Sequence, residues 1–156
     1  GSGFIMEYKC QRLYRDARIF SIYEGTTQLQ VVAAIRFVTN GTYLAIIKEM
    51  LQNSVADDLK AYKTRVEALV SQYESVLDAL KADTEQEKHD FIARHLYEMT
   101  ADIVMSLLIL DDATRSPELF GKSARNYVRY AEADFAKHAL FVANAKAEDL
   151  SDYRQV

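Results

Sequence analysis

The 156-residue chain is 49% hydrophobic and 27% charged, which is typical of a folded domain with its own core. Its net charge of -4, with acids and bases mixed along the same segments, gives no basic face for nucleic acid. One cysteine, Cys10, excludes an internal disulfide and, with only three histidines, argues against a cysteine–histidine metal site. We therefore predict no metal and a cytoplasmic protein; no signal peptide or membrane-spanning run is visible, so no membrane association is predicted.

The first elements predicted along the chain are two helices around a break. Residues 7–19 read as a helix in which Arg12 and Asp16 are spaced to form an ion pair. A break follows at residues 24–25, and Thr27 with Gln30 has the capping-box spacing. The second helix is predicted over residues 28–38, ending at the Asn-Gly pair of residues 40–41.

Longer helices are predicted after that pair. A short helix over residues 43–51, with a cap for the next helix at Asn53-Ser54, precedes a heptad stripe that starts at Val55 and ends at Leu80. Residues 85–110 continue the pattern, and their apolar second half, residues 103–110, should be the most buried segment. Residues 111–117 read as a turn, and Ser116 is expected to cap a last helix that ends near residue 145.

These elements predict an all-α fold. One proline and five glycines are too few for the many turns that a many-stranded sheet needs. Three long helices joined by short connections most simply form an antiparallel up-down-up bundle.

Few residues suggest chemistry by themselves. Glu24 lies in a glycine-containing break, where it is either an anion stabilised by the next helix N-terminus or a base facing a ligand. His95 and Glu98 are spaced for a helical metal site, but the glutamate and histidine pairs of di-iron bundles are missing. His138 lies on the apolar stripe of the last helix and reads as a hydrogen-bonded core or interface residue.

Four blocks of the first forty residues resemble the C-terminal end of the catalytic unit of acyl-CoA dehydrogenases, which are FAD-dependent flavoproteins. The blocks read GSGF, EY, RLYRDARI and IYEGTTQLQ, at residues 1–4, 7–8, 12–19 and 22–30. This resemblance implies that Glu24 is the catalytic base, which removes the α-proton of an acyl-CoA thioester while the β-hydrogen leaves as hydride to the flavin. Tyr23 and Gly25 then contact the acyl thioester on either side of the base.

The resemblance also implies the cofactor contacts. Thr26, Thr27 and Gln28 match FAD-contacting residues at the start of the last helix of the catalytic domain. Gly1 matches the end of a glycine-rich loop that approaches the FAD of a neighbouring subunit. The chain departs from the family pattern at residues 9–11, where Lys-Cys-Gln replaces the usual Pro-Val-Glu.

The resemblance covers about a quarter of the chain and implies two regions. Residues 1–40 would be the end of the catalytic C-terminal helical domain, and residues 41–156 resemble the helical C-terminal extension of larger family members. That implies a structural and assembly role for the extension in a homodimeric parent enzyme, with an electron-transfer flavoprotein as electron acceptor. We expect a fragment of a larger polypeptide that by itself binds neither FAD nor acyl-CoA tightly and is inactive.

Two alternatives remain open from the sequence. An acyl-CoA oxidase would keep the same base and pass electrons to oxygen. A helical interaction module without catalytic activity would use Glu24 only as a helix-terminal anion.

Overall fold

The computed structural model describes residues 3, 5–23, 26–146 and 148–149. The chain divides into two compact units, Gly1–Ala34 and Ile35–Val156, and each is considered by itself. Every regular element within the described residues is helical, which confirms the all-α prediction.

The first unit holds two short helical elements and the start of a longer helix. Helix α1 spans Cys10–Ala17 and continues as a 3-10 helix over Arg18–Ser21. The predicted helix over residues 7–19 begins later than expected, because the Tyr8 N–H closes a separate turn onto the Ile5 carbonyl. The predicted Arg12–Asp16 ion pair is confirmed, with 3.5 Å between nitrogen and oxygen.

Helix α2 spans Thr27–Thr39 and so begins one residue before the predicted start. The Leu29 N–H donates to Oγ1 of Thr26 at 3.4 Å. Thr26 therefore caps this helix, and the prediction of Thr27 as the cap is wrong. The cause is that Thr27 already belongs to the first helical turn, while Thr26 stands at the flanking position from which a hydroxyl reaches the third amide.

The second unit begins with a sharp change of chain direction. Gly41 has φ of +85°, which a residue without a side chain adopts at low cost. Oδ1 of Asn40 accepts hydrogen bonds from the Thr42 N–H and hydroxyl at 2.9 and 2.7 Å. These contacts end α2 as predicted and start α3, which spans Thr42–Met50.

Three long helices follow: α4 over Lys60–Ala82, α5 over Gln86–Arg115 and α6 over Pro117–Asn144. Their contacts establish the predicted up-down-up order. Along α5 and α6 residue numbers run in opposite directions, since Phe91 contacts Phe141 and His95 contacts His138. Between α4 and α6 they run in the same direction, as shown by two ion pairs, Asp58–Arg125 just before α4 and Arg65–Glu132 within it.

The core of the second unit lies between these helices. Helix α5 supplies more buried residues than α4 or α6. Tyr73 is fully buried, and its hydroxyl hydrogen-bonds Oγ1 of Thr100 at 2.7 Å. The largest fully buried side chains are Tyr73, Phe135, Ile47, Leu59, Ile92, Leu96, Met99, Ile103, Leu110, Val38, Val66 and Val128.

The predicted heptad stripe faces the core, with four of its residues buried and the other four partly buried, but its helix starts later than Val55. Residues 57–59 form a separate 3-10 turn, and α4 begins at Lys60. Ala56 is extended, with ψ of 150°, and its N–H donates to Oγ1 of Thr114 on α5 at 3.2 Å. This loop is therefore tied across the bundle instead of winding into the helix, and the predicted cap at Asn53-Ser54 is wrong.

Two further expectations about α5 and α6 are corrected. The segment 103–110 is not the most buried one as predicted, since Met105 and Leu108 are 48% and 45% exposed. The predicted turn over residues 111–117 is helical as far as Arg115, because Pro117 forces the break only at Ser116. Ser116 holds the capping position of α6 but makes no side-chain capping bond.

Among the described residues, no single helix is long and apolar enough to cross a membrane, although α2 and α3 taken together pass that test of length and composition.

Candidate functional site

The site predicted from the sequence lies around the start of α2. Tyr23 stands in the turn that follows Arg18–Ser21, where its N–H donates to the Ile19 carbonyl at 2.8 Å. The Tyr23 side chain is 54% exposed. It is therefore held by its backbone and presents its ring outward.

Three predicted cofactor contacts occupy the first turn of α2 and the residue before it. Thr26, Thr27 and Gln28 are all exposed, so two hydroxyls and an amide lie on one helix terminus. The N–H groups of a first helical turn point outward along the axis and favour an electron-rich group. The other predicted site residues, Glu24, Gly25 and Gly1, lie outside the described residues.

The first unit has an exposed apolar surface. Phe20 and Met6 are 81% and 80% exposed, and no residue of α1 is buried. An open groove beside α1 is lined by Met6, Cys10 and Tyr14, together with Gly3, Gln11 and Arg15. The large apolar side chains that are exposed here are Ile5, Met6, Tyr8, Leu13, Tyr14, Ile19, Phe20, Ile22, Tyr23, Leu29 and Val32.

A separate group of titratable side chains lies in the second unit, between α5 and α6. Nδ1 of His95 and Nδ1 of His138 are 2.8 Å apart, which is a hydrogen bond between the two rings. Burial is the main cause that lowers the pKa of both imidazoles, and nearby positive charge adds to it. The prediction that His138 is a hydrogen-bonded residue of the helix interface is confirmed.

Asp102 lies on the same side of α5, two turns beyond His95. Its Oδ2 is buried and has no hydrogen-bond partner among the described residues. Burial, and then the charges of Asp134 and Glu98, raise the pKa of Asp102 to about 7. The carboxyl is therefore largely protonated at slightly acidic pH and ionises only with difficulty.

Sequence reasoning missed Asp102 and the contact between the two histidines. A signal for Asp102 exists, because Glu98, Asp102 and Ser106 follow each other at intervals of four beside the buried positions of α5. The contact between His95 and His138 depends on the register of two helices, which no local pattern specifies.

His95 and Glu98, whose spacing suggested a helical metal site, do not converge on a common point. Glu98 pairs with Arg94 at 2.5 Å, and His95 turns to His138. Within residues 5–23 and 26–146, no three histidine, cysteine, aspartate or glutamate side chains converge as ligands of a metal ion would.

Two family models match almost the whole chain. The model described as the acyl-CoA dehydrogenase C-terminal domain matches residues 1–38. The model described as acyl-CoA dehydrogenase C terminal matches residues 39–150.

A solved structure and two curated proteins are similar to parts of the chain. An acyl-CoA dehydrogenase family protein from Porphyromonas gingivalis is 34% identical, with a TM-score of 0.68 over 73% of this chain and 98% of that one. Acyl-CoA dehydrogenase family member 11 of Caenorhabditis elegans is 27% identical over 128 residues, 74% of this chain and 20% of its own length. The Caffeyl-CoA reductase-Etf complex subunit CarC of Acetobacterium woodii is 63% identical over 30 residues, 19% of this chain and 8% of its own. The chain thus spans a fifth or less of these curated relatives.

Proposed function

The chain belongs to the acyl-CoA dehydrogenase family and matches its C-terminal domains. We propose that its first region, residues 1–40, completes the active site of a flavin-dependent acyl-CoA dehydrogenase. The observation that carries the proposal is the family match over residues 1–38, which includes the Tyr-Glu-Gly-Thr sequence at residues 23–26. The parent enzyme would oxidise an acyl-CoA to a trans-2-enoyl-CoA.

Glu24 is the proposed base. The α-proton of a thioester is a very weak acid, so its removal requires stabilisation of the negative charge that develops on the carbonyl oxygen. The Glu24 N–H is one proposed donor to that oxygen, while the Glu24 carboxylate takes the proton. Tyr23 and Gly25 flank the base and would hold the acyl thioester in place, because the reacting atoms must lie within about 3–3.5 Å for efficient transfer.

The residues at the start of α2 fit a flavin cofactor. Thr26 and Thr27 offer hydroxyls, Gln28 offers an amide, and all three are exposed at a helix N-terminus. Such a set suits the electron-rich groups of a dinucleotide. When bound, FAD would accept the β-hydrogen of the substrate as hydride. Gly1 is the proposed contact with the cofactor of a neighbouring subunit.

The exposed apolar side chains of the first unit support an incomplete catalytic surface. Met6, Leu13, Tyr14 and Phe20 are each at least 66% exposed, whereas large apolar side chains of a finished domain are mostly covered. We assign them to contact with other parts of the catalytic domain. The 156-residue chain alone is then expected to bind neither FAD nor acyl-CoA tightly and to be inactive.

The second region, residues 41–156, is the proposed structural and assembly module. Its helices bury a core of their own and the described part carries no counterpart of the Tyr-Glu-Gly-Thr sequence. We propose that it packs on the catalytic unit of a homodimeric, cytoplasmic parent. The competing assignment, a helical interaction module without catalysis, would leave Glu24 as a helix-terminal anion only.

The direction of the reaction and the electron partner are further parts of the proposal. One relative is named as a subunit of a reductase-Etf complex, which supports an electron-transfer flavoprotein as partner and makes reduction of an enoyl-CoA a second candidate. By microscopic reversibility the same Glu24 would then return the α-proton. An oxidase passing electrons to oxygen is distinguished by hydrogen peroxide formed during turnover.

The test uses the full-length parent enzyme. Glu24→Gln removes the base but keeps the shape, so acyl-CoA dehydrogenation should fall by at least about a thousandfold while the flavin stays bound. Glu118→Gln is the matched control, because it makes the same change at an exposed glutamate of α6, outside the four blocks that resemble the catalytic unit. Activity retained in Glu24→Gln, measured over a panel of acyl-CoA chain lengths, contradicts the assignment.

The isolated chain gives an independent check. Purified without other segments, it should be colourless and should not change the absorbance or fluorescence of added FAD. A stoichiometric flavin band in the purified chain would show that residues 1–40 hold the cofactor without the rest of the catalytic domain.

A further inference from the structure

Only one proton can lie between the Nδ1 atoms of His95 and His138. The two Nδ1 atoms are 2.8 Å apart, so one must carry a hydrogen and the other must offer its lone pair. The pair can accept a first extra proton on the outer nitrogen of the donor ring, which strengthens the bond. A second proton has to enter on the accepting Nδ1, where two N–H groups would then face each other.

The surroundings compensate a second positive charge only in part, because Glu98 and Asp134 favour the charged imidazoles less than burial and the nearby cations disfavour them. On α5, Glu98 is already paired with Arg94 at 2.5 Å. On α6, Asp134 is already paired with Lys137 at 2.8 Å. Arg94 and Lys137 add positive charge near the rings, and neither imidazole forms an ion pair with a carboxylate in the part of the chain that the structure describes.

The same rings hold the last turns of α6 against α5 together with Val142, which is buried in the core of the second unit. The His95 ring stacks on Phe141, with centroids 3.7 Å apart and planes 15° from parallel. Phe141 also contacts Phe91, with centroids 5.4 Å apart. Rotation of His95 away from His138 therefore disturbs the packing of Phe141, which is itself 37% exposed.

We propose that this cluster is a proton-sensitive latch: α6 is held to α5 as far as its C-terminal end while the two imidazoles share one Nδ1 proton, and its last turns are released when both rings become charged. The latch comprises His95, His138 and Phe141. It acts on residues 138–144, and the fully buried core around Phe135 stays in place.

The direction of the effect follows from burial of the pair. Both imidazoles have pKa values below the ordinary 6.5, chiefly because burial disfavours their charged forms. The unfolded or released state then binds more protons than the closed state, so closure is favoured fully above pH 6.5 and is lost as the pH falls through the lowered pKa values.

The test measures backbone hydrogen exchange of the 156-residue chain at about pH 7.5 and about pH 5.5, after correction for intrinsic exchange rates. Residues 138–144 should lose protection several-fold at the lower pH, and α4 should not. His138→Asn, whose amide places donor and acceptor atoms near the former Nδ1, should abolish this pH dependence. His89→Asn, at the other histidine of α5, is the matched control: His89 lines a groove with Leu77 and Leu80 of α4, so residues 138–144 should keep their pH dependence in this variant. Because Nε2 of His89 is buried without a partner among the described residues, this control is judged on the pH dependence and not on absolute protection.

Equal pH dependence in His138→Asn and the unaltered chain overturns the latch, as does unchanged protection at the lower pH. Since His138→Asn could misfold, imidazole nitrogen shifts of the unaltered chain provide a second measurement. They should show one Nδ1 protonated and one bare above pH 6.5, and coupled titration of the two rings below it; two independent titrations overturn the proposal. Stabilisation by Zn²⁺ at about pH 7.5 that disappears in His138→Asn would overturn it too, in favour of a two-histidine metal site.

Discussion

The two units of the chain differ in how much of their own surface they bury. In the second unit every long helix contributes fully buried side chains, among them Tyr73 and Phe135. In the first unit α1 has no buried residue, and Phe20 stands 81% exposed. The residues to which we assign the chemistry therefore lie in the first unit, which buries few side chains. The second unit has a core of its own and carries none of the proposed catalytic residues.

This contrast has a physical basis. Catalytic groups must be placed against a ligand, so they are often carried on segments whose other contacts come from elsewhere in the protein. An eight-residue helix such as α1 is marginal in water without a surface to pack on. Short connections and a heptad stripe, by contrast, let α4, α5 and α6 pack against each other.

The largest expected effect comes from removing a core side chain of the second unit. Phe135→Ala deletes a fully buried ring and should lower the free energy of unfolding by about 3–5 kcal/mol, measured by denaturant titration of the isolated chain. Phe20→Ala is the matched control in the first unit and should leave that free energy nearly unchanged. A comparable loss in both variants would show that the first unit has a core after all, and the comparison of the two units would fail.

A smaller effect, dependent on pH, is expected at Asp102. The pKa of this carboxyl is about 7 in the folded chain against 3.8 ordinarily, so the native state binds the proton more tightly and stability falls as the pH rises between these values. Asp102→Asn should therefore leave stability nearly unchanged near pH 4 and raise it by about 1–3 kcal/mol near pH 8.5.

Denaturant titrations at several pH values measure that difference. Asp112→Asn, at an exposed position on the same helix, is the control and should give a difference that does not vary with pH. If the stability change of Asp102→Asn were also the same at every pH, Oδ2 of Asp102 would have to be in contact with water, and its pKa would not be raised by burial. The effect of Asp102 opposes that of the two histidines, but Asp102 is present in the unaltered chain and in His138→Asn alike, so its effect cancels when their pH dependences are compared.

What the sequence predicts well is the pattern that repeats along a helix. The predicted stripe identifies much of the buried face of α4, because one face of a helix recurs every three to four residues, but it misses Val70 and Leu77. Helix ends are predicted less well, since they depend on single contacts: α4 starts late because Ala56 is bound to Thr114, 58 residues further along.

Contacts between helices are the feature that the sequence predicts least well. The hydrogen bond of His95 with His138 and the unpaired Oδ2 of Asp102 arise from the register of α5 against α6, which the composition of either helix leaves open. Of the proposed active site, Thr26, Thr27 and Gln28 lie at a helix N-terminus, and their contact with FAD stays a prediction. The role of Glu24 depends on a substrate and a cofactor and stays a prediction.

The smallest expected effect separates the two threonines at the start of α2. Thr26→Ala removes the hydroxyl that accepts the Leu29 N–H and should destabilise the first turns of α2 by about 0.5–1 kcal/mol, seen as faster hydrogen exchange over residues 29–34. Thr27→Ala, one residue inside the helix, should change this exchange much less. Neither substitution should alter the denaturant midpoint of the second unit, because neither removes a side chain of its core. A larger effect from Thr27→Ala would restore Thr27 as the cap, and a shifted midpoint in either variant would mean that α2 transmits the stability of its first turns to the bundle.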